Sequence, residues 1–227
     1  MRIIRRQAGF TLVEIAIVLV IIGLLLGGIL KGQEMITQAR IKNVINDFNG
    51  ISAAYFSYQD RYRAVPGDDS QAITRWATPL TSQTSPDGNG LLDKPGGSPT
   101  WNAASATPEP ETRMFWWHLR LAGFIAGPTA AAPSASAQPT NAFGSLIGAN
   151  GVGTFLQLSG LIICSSGIPD KVAIAVDTQM DDQQPNTGVI RAQGGTTGGT
   201  SVDNLQPAPA TQYQETGSNL YILCKGV

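Results

Sequence analysis

From Phe10 to Leu30 the chain is apolar apart from Thr11, Glu14 and three glycines, and no polar face recurs. As a helix rising 1.5 Å per residue this stretch spans about 31 Å, the thickness of a bilayer hydrocarbon core of about 30 Å. After Lys31 the pattern changes. Ile41, Val44, Ile45, Phe48, Ile51, Tyr55, Tyr58 and Tyr62 recur at steps of mostly three and four, the spacing of one apolar helix face. One helix over residues 10–62 accounts for both patterns: a half able to cross a membrane, then an amphipathic half that must pack on the C-terminal part of the chain. Ala64-Val65-Pro66-Gly67-Asp68-Asp69 ends it, because proline cannot continue a helix and Pro-Gly is a turn signal.

Beyond that turn the patterns are shorter. Residues 78–110 are rich in Pro, Gly, Ser and Thr and read as a surface loop, and 109–124 carry a short helical pattern with Met114, Trp117 and Leu121 on one face. Residues 126–138 are a low-complexity Ala/Pro/Ser stretch, and the Gly/Thr run at 194–201 suits a loop. Strand-like runs stand at Thr154–Cys164, Gly188–Ala192 and Leu220–Cys224. A short helix is predicted from Asp170, as its cap, through Met180, with Val172, Val176 and Met180 at period four. These elements predict an α+β fold in which a small antiparallel sheet packs on the amphipathic half of the long helix.

Charge gives the apolar run its meaning. Arg2, Arg5 and Arg6 precede it and Lys31 follows, so the positive-inside rule keeps the arginine end cytoplasmic and sends the rest across. Glu14 is the anomaly, since an acid inside a bilayer costs on the order of 2.5–3.5 kcal/mol and is a functional-site hypothesis by default. The segment Arg5-Arg6-Gln7-Ala8-Gly9-Phe10-Thr11-Leu12-Val13-Glu14 resembles the processing site of type IV prepilins and type II secretion pseudopilins. An ordinary signal peptide would instead be cut after its apolar stretch, and no A-x-A-like site follows Leu30.

The resemblance implies residues 1–9 as a basic leader, cleavage between Gly9 and Phe10, and N-methylation of Phe10 by a prepilin peptidase and methylase. It implies 10–30 as the transmembrane half of the helix and 31–227 as a pilin-like globular domain. The expected function is that of a structural subunit, minor or pilin-like, of a type IV pilus or a pseudopilus. Such a subunit sits in the bacterial inner membrane, N-terminus cytoplasmic, and then in a periplasmic or extracellular filament. Its partners would be other subunits and the inner-membrane assembly machinery. Glu14 is expected to pair with the Phe10 amine of a neighbouring subunit.

Glycines 23, 27, 28 and 32 give two overlapping G-x-x-x-G spacings, which allow helices to approach closely in lipid and also loosen the helix itself. The chain has two cysteines, Cys164 and Cys224, and an even count in an exported domain predicts one disulfide. Loss of residues 1–9 removes three arginines and leaves 12 basic against 16 acidic side chains, scattered, with no basic stripe for nucleic acid.

Further along, the chain resembles a subset of pilin-like proteins carrying four motifs in this order: Tyr62/Pro66–Asp69 (Y-x-x-x-P-G-D-D), Asp87–Gly90 (D-G-N-G), Trp116–Gly123 around W-H-L, and Asp177/Asp181/Asp182 (D-x-x-x-D-D). The last often continues into Gly, where this chain has Gln183.

The inventory for catalysis is thin and predicts no enzyme. His118 is the sole histidine and stands in an amphipathic stretch, where a packed imidazole is the ordinary reading. No G-x-S-x-G elbow accompanies it, and the cysteines lack C-x-x-C spacing. Phe115, Trp116 and Trp117 read as filler between helix and sheet. No cofactor is required. Calcium, which takes several oxygen ligands, has weak candidate ligands in Asp87, Asn89 and Asp93 and in Asp177, Asp181 and Asp182; turn and capping roles account for both groups. The competing functions are a singly anchored, adhesin-like binding protein that never polymerises and a membrane-anchored hydrolase.

Overall fold

The computed structural model describes residues 11–77, 86–92, 101–104, 109–130, 136–151, 154–194 and 209–227. Gly9, Phe10 and Asp93 lie outside the described residues, as do most of the 78–110 loop, residues 131–135, and 195–208 of the Gly/Thr region. A long helix is followed by a small antiparallel sheet and short helices, the expected α+β layout.

Helix α1 runs Leu12–Tyr62, 51 residues, with Thr11 before it. The chain divides into two compact units at residue 39, and each is described by itself. In the first, residues 11–39 carry exposed side chains on every side, Gly32 excepted, and Lys31 and Glu34 pair at 2.7 Å. In the second, the predicted stripe turns inward: Ile41, Val44, Phe48, Ile51, Ala54 and Tyr58 are buried. Phe56, on the opposite face, remains 54% exposed.

The turn after α1 begins at Arg63, which takes a left-handed φ of 53°. Gly67 follows at φ 97°, where a Cβ would strike the Glu111 carbonyl and Leu92; only glycine fits. A one-turn helix, α2 (Ala72–Arg75), was not anticipated.

Helix α3 (Glu111–Leu121) was expected to be amphipathic, but every side chain from Glu111 to Arg120 is buried. Its two apolar faces go separate ways: Phe115, Trp116 and Leu119 join the main core, while Met114 and Trp117 pack on Ala72 with Leu121 beside them. The aromatic trio is therefore interior, as predicted, and not a recognition surface. The two buried arginines of the helix find partners. Arg113 contacts Glu109, Ser136 Oγ donates to Glu109 Oε1 at 2.8 Å, and Arg120 Nη2 donates to the Ala137 carbonyl at 2.6 Å.

The sheet holds β1 (Ile147–Asn150), β4 (Ile162–Pro169), β6 (Leu220–Gly226) and β5 (Ile190–Gly194) in the order β1-β4-β6-β5, all antiparallel. β1 was not predicted. Its sequence, I-G-A-N, has no β-branched alternation, and Gly148 is there because a Cβ would collide with the Trp101 carbonyl. The run Thr154–Cys164 is not one strand: β2 (Thr154–Phe155) and β3 (Leu158–Ser159) form a hairpin, and β4 starts afterwards. The chain turns back at Leu156 and Gln157, both left-handed at φ 50° and 63°. Each such non-glycine residue costs on the order of 1–2 kcal/mol.

Helix α4 (Asp170–Met180) occupies the predicted span, but Asp170 is not its cap. Pro169, in extended conformation, holds the N-cap position, and the Asp170 carboxylate instead accepts the backbone N–H groups of Thr216 and Gly217 at 2.8 and 2.6 Å. It anchors the segment leading into β6.

The sheet has two buried faces. Ile163, Tyr221 and Leu223 belong to the core shared with the 41–58 face of α1 and with Val172 and Val176 of α4. Ile162, Cys164, Ile222 and Cys224 point the other way, into a second core completed by Trp101, Phe155, Leu156 and Leu158. Cys164 and Cys224 are direct partners in the β4–β6 register and form the expected disulfide. Exported protein should therefore run faster on non-reducing than on reducing gels, and Cys164→Ala should lower stability by about 2–5 kcal/mol in chemical denaturation. Full labelling of both thiols in native protein would contradict the pairing.

Candidate functional site

Glu14 stands in the first turn of α1 and is not bare. Thr11 N–H and Thr11 Oγ1 both donate to Glu14 Oε2 at 2.8 Å, and Glu14 N–H donates back to Thr11 Oγ1 at 3.2 Å. This is a capping box, with threonine at N-cap and glutamate at N3 satisfying each other's backbone donors. Glu14 thus has a hydrogen-bonding partner in its own chain, but that partner, Thr11, carries no charge. The T-x-x-E spacing was present in the sequence and signals such a box. Beyond Glu14, α1 is long and apolar enough to cross a membrane, and none of its most apolar window is buried.

A second cluster forms where α1 ends, and it joins three of the four downstream motifs. Gly67 N–H donates to His118 Nδ1 at 2.9 Å, which ties the Pro-Gly turn to α3. Asp68 accepts the N–H groups of Gly88 and Gly90, both at 2.6 Å, which ties the turn to the D-G-N-G loop. Asp69 accepts Tyr58 Oη at 2.7 Å and Arg75 Nη1 at 2.6 Å, which ties the turn to α1 and α2. A cavity of about 370 Å³ opens beside these residues, lined by Tyr62–Val65, Asp68–Gln71, Gly88 and Gly90.

Neighbouring carboxylates differ here. Burial raises Asp68, and the Asp87 charge adds to that, against two backbone donors from Gly90 and Gly88 that lower it; the net is upward. Burial also works to raise Asp69, but the hydrogen bonds from Arg75 and Tyr58 outweigh it and hold Asp69 below the usual range. Tyr58, desolvated and bound to Asp69, is pushed up.

The acidic candidates behave as turn formers. Asp87 Oδ1 accepts Asn89 N–H at 3.0 Å, and Asn89 Oδ1 accepts Leu91 N–H at 2.7 Å, so both sit in Asx turns. Asp177 accepts Gln183 N–H at 3.1 Å and Tyr213 Oη at 2.6 Å, Asp181 accepts Ile190 N–H at 2.9 Å, and Asp182 accepts Gln184 N–H at 2.9 Å. Gln183 takes φ 66°, so the turn that glycine often makes in the resembling proteins is made here by glutamine. Burial lifts the Asp177 carboxyl to about 6; the hydrogen bonds from Tyr213 and Gln183 oppose this and the charges of Asp181 and Asp182 add to it. Among the described residues, two groups can bring carboxylate oxygens within 4.8 Å of one another: Asp68, Asp87 and Glu111, and Asp177, Asp181 and Asp182. Asp68 and Glu111 were absent from the sequence candidates, because only the fold brings them to Asp87.

Residues 4–30 match the family described as prokaryotic N-terminal methylation motif. The N-terminal segment is a methylation motif. This motif is the hallmark of type IV prepilins and pseudopilins, and the assignment made from Gly9, Phe10 and Glu14 stands on it. It covers 27 of 227 residues. No curated protein and no solved structure matches the chain. The methylation motif implies processing by a prepilin peptidase and assembly with other pilin-type subunits.

His118 is fully buried, stacks on Tyr58 with centroids 6.2 Å apart, and spends Nδ1 on Gly67, so the neutral ring carries its proton on Nε2. Desolvation lowers its pKa to about 4, with a smaller opposing pull from Asp69. A folded value below the unfolded one of about 6.5 means that its share of stability is complete above pH 6.5 and is lost as pH falls toward 4. The effect is at most about 3 kcal/mol. Asp177, raised in the fold, contributes with the opposite sign between its unfolded value and about 6, so the net acid dependence of stability is a poor gauge of either group. The direct check is the single imidazole resonance in an NMR titration, which should remain neutral down to about pH 5; a midpoint at 6–7 would refute the buried, neutral assignment.

Proposed function

We propose that this protein is a structural subunit of a type IV pilus or a type II secretion pseudopilus, held in the inner membrane by residues 10–30 before assembly. The carrying observation is the first part of α1: a helix apolar on all sides that falls within the methylation motif, with one carboxylate at the fifth position after the cut site. Removal of residues 1–9 creates an amine at Phe10. An incoming subunit displaced by one step along a filament places its Glu14 against that amine, and the pair offsets the desolvation of both groups. The glycines at 23, 27, 28 and 32 allow the apolar helices to bundle closely. The interior His118, bonded to the turn through Nδ1, and the turn-forming carboxylates support a scaffold role for the second unit.

Mature protein from a host with an active prepilin peptidase should begin at N-methylated Phe10 by intact mass. Retention of residues 1–9 would sink the assignment.

Variants at Glu14 separate charge from cap. Glu14→Leu removes both, Glu14→Gln keeps a side chain able to cap but loses the charge, and Thr11→Ala weakens the cap by about 1 kcal/mol while leaving the charge. Cleavage and membrane insertion should survive in all three. Incorporation into sheared filaments, quantified by immunoblot, should be abolished or sharply reduced for Leu, nearly as low for Gln, and only modestly lower for Thr11→Ala. Wild-type incorporation of Glu14→Leu would refute the charge-pair account, and absence of filaments containing the wild-type chain would favour a non-polymerising anchor.

A further inference from the structure

The disulfide is fully buried under a hairpin whose turn is unfavourable by sequence. Cys164 and Cys224 share their core with Phe155 and Leu158 from the two strands of that hairpin, with Leu156 from its turn, and with Trp101. Leu156 and Gln157 form a two-residue connection between the paired residues Phe155 and Leu158, both at positive φ. A type I′ connection of this kind ordinarily carries Asn-Gly, because a Cβ is disfavoured at both positions. Here the first position holds a leucine that is 1% exposed and seated in the core containing the sulfurs. Arg191, the register partner of Cys224, holds the tip from the side: its Nη1 donates to the Leu156 carbonyl at 3.3 Å and to Gln157 Oε1 at 3.1 Å. Strained backbone persists only when its surroundings over-determine it, and here they include the Leu156 seat in the core and the Arg191 hydrogen bonds.

We propose that the β2–β3 hairpin is a flap over the Cys164–Cys224 bond, so that local opening of the flap, and not unfolding of the second unit, admits thiols to the sulfurs. Among the described residues, this core also holds Trp101, in a separate segment whose carbonyl lies against Gly148 of β1, and Ile162 and Ile222 of the sheet itself; these stay when the flap lifts. A dithiol reductant supplies the two electrons. Its thiolate attacks one sulfur and forms a mixed disulfide while the other cysteine leaves as thiolate and takes a proton; the second reagent thiol then displaces the remaining cysteine, and the reagent departs as its own disulfide. The main core, between α1, α4 and the opposite sheet face, takes no part in the opening.

The test is the rate of disulfide reduction by dithiothreitol in the full chain in detergent micelles, read by thiol labelling and mass. With a flap, Leu156→Ala should accelerate reduction by about tenfold or more, since it empties the seal. Arg191→Ala should accelerate it severalfold, whereas Val176→Ala, which weakens only the main core, should leave the rate within about twofold. The wild-type rate should also be nearly flat in low urea, as local openings expose little surface, instead of rising with the slope of global unfolding. Equal acceleration by Val176→Ala and Leu156→Ala, or a rate that follows the global unfolding slope, would overturn the flap.

Discussion

A single helix with no polar face in its first half and one apolar face in its second sets the terms for everything else. Residues 12–30 have no side on which water is tolerable, so their cover must come from lipid or from other helices. From Ile41 the same helix offers one stripe, and a sheet with two short helices is enough to bury it. The sheet then has a second apolar face of its own, and this is where the short hairpin and the disulfide are needed. Each layer exists because the one before it leaves apolar surface open.

The end of α1 is where this hierarchy is held in place. Gly67, Asp68 and Asp69 are consecutive, and each binds a different element: α3 through His118, the 88–90 loop, and α1 with α2 through Tyr58 and Arg75. A turn that bonds to three helices and a loop fixes their mutual geometry without regular secondary structure of its own. The electrostatics are unequal in consequence. The hydrogen bonds from Arg75 and Tyr58 hold the Asp69 pKa down against burial, whereas burial, helped by the Asp87 carboxylate, raises that of Asp68 against the backbone donors of Gly90 and Gly88.

The elements legible in the sequence are those whose pattern repeats locally. The stripe of α1, the period-four pattern of α4 and the β-rich run of β6 are local signals, and each element was found where it was read. β1 was invisible because I-G-A-N becomes a strand only when Trp101 and β4 lie beside it. The hairpin was missed because Leu-Gln is no turn signal; tertiary burial of Leu156 overrides the local preference. At the sites the division is the same. The methylation motif and the cysteines were legible, and so in principle was Thr11. Glu111 and Asp68 beside Asp87 were not, since nothing in spacing brings residues some 20 positions apart together.

The capping box alters how the Glu14 charge works. A bare buried carboxylate would gain so much from any cation that assembly would be driven by rescue, with little regard to register. With Thr11 supplying two hydrogen bonds, the carboxylate already has part of its solvation replaced within its own chain. In the proposed filament a neighbouring amine adds the missing counter-charge to a group whose rotamer and direction are already fixed. The energy at stake in assembly is then a difference between two satisfied states, smaller than the full cost of burying an ion, and it falls off steeply when the amine is displaced. Such a pair selects register more than it supplies cohesion, which leaves cohesion to the apolar faces of α1 and the close approach that its glycines permit.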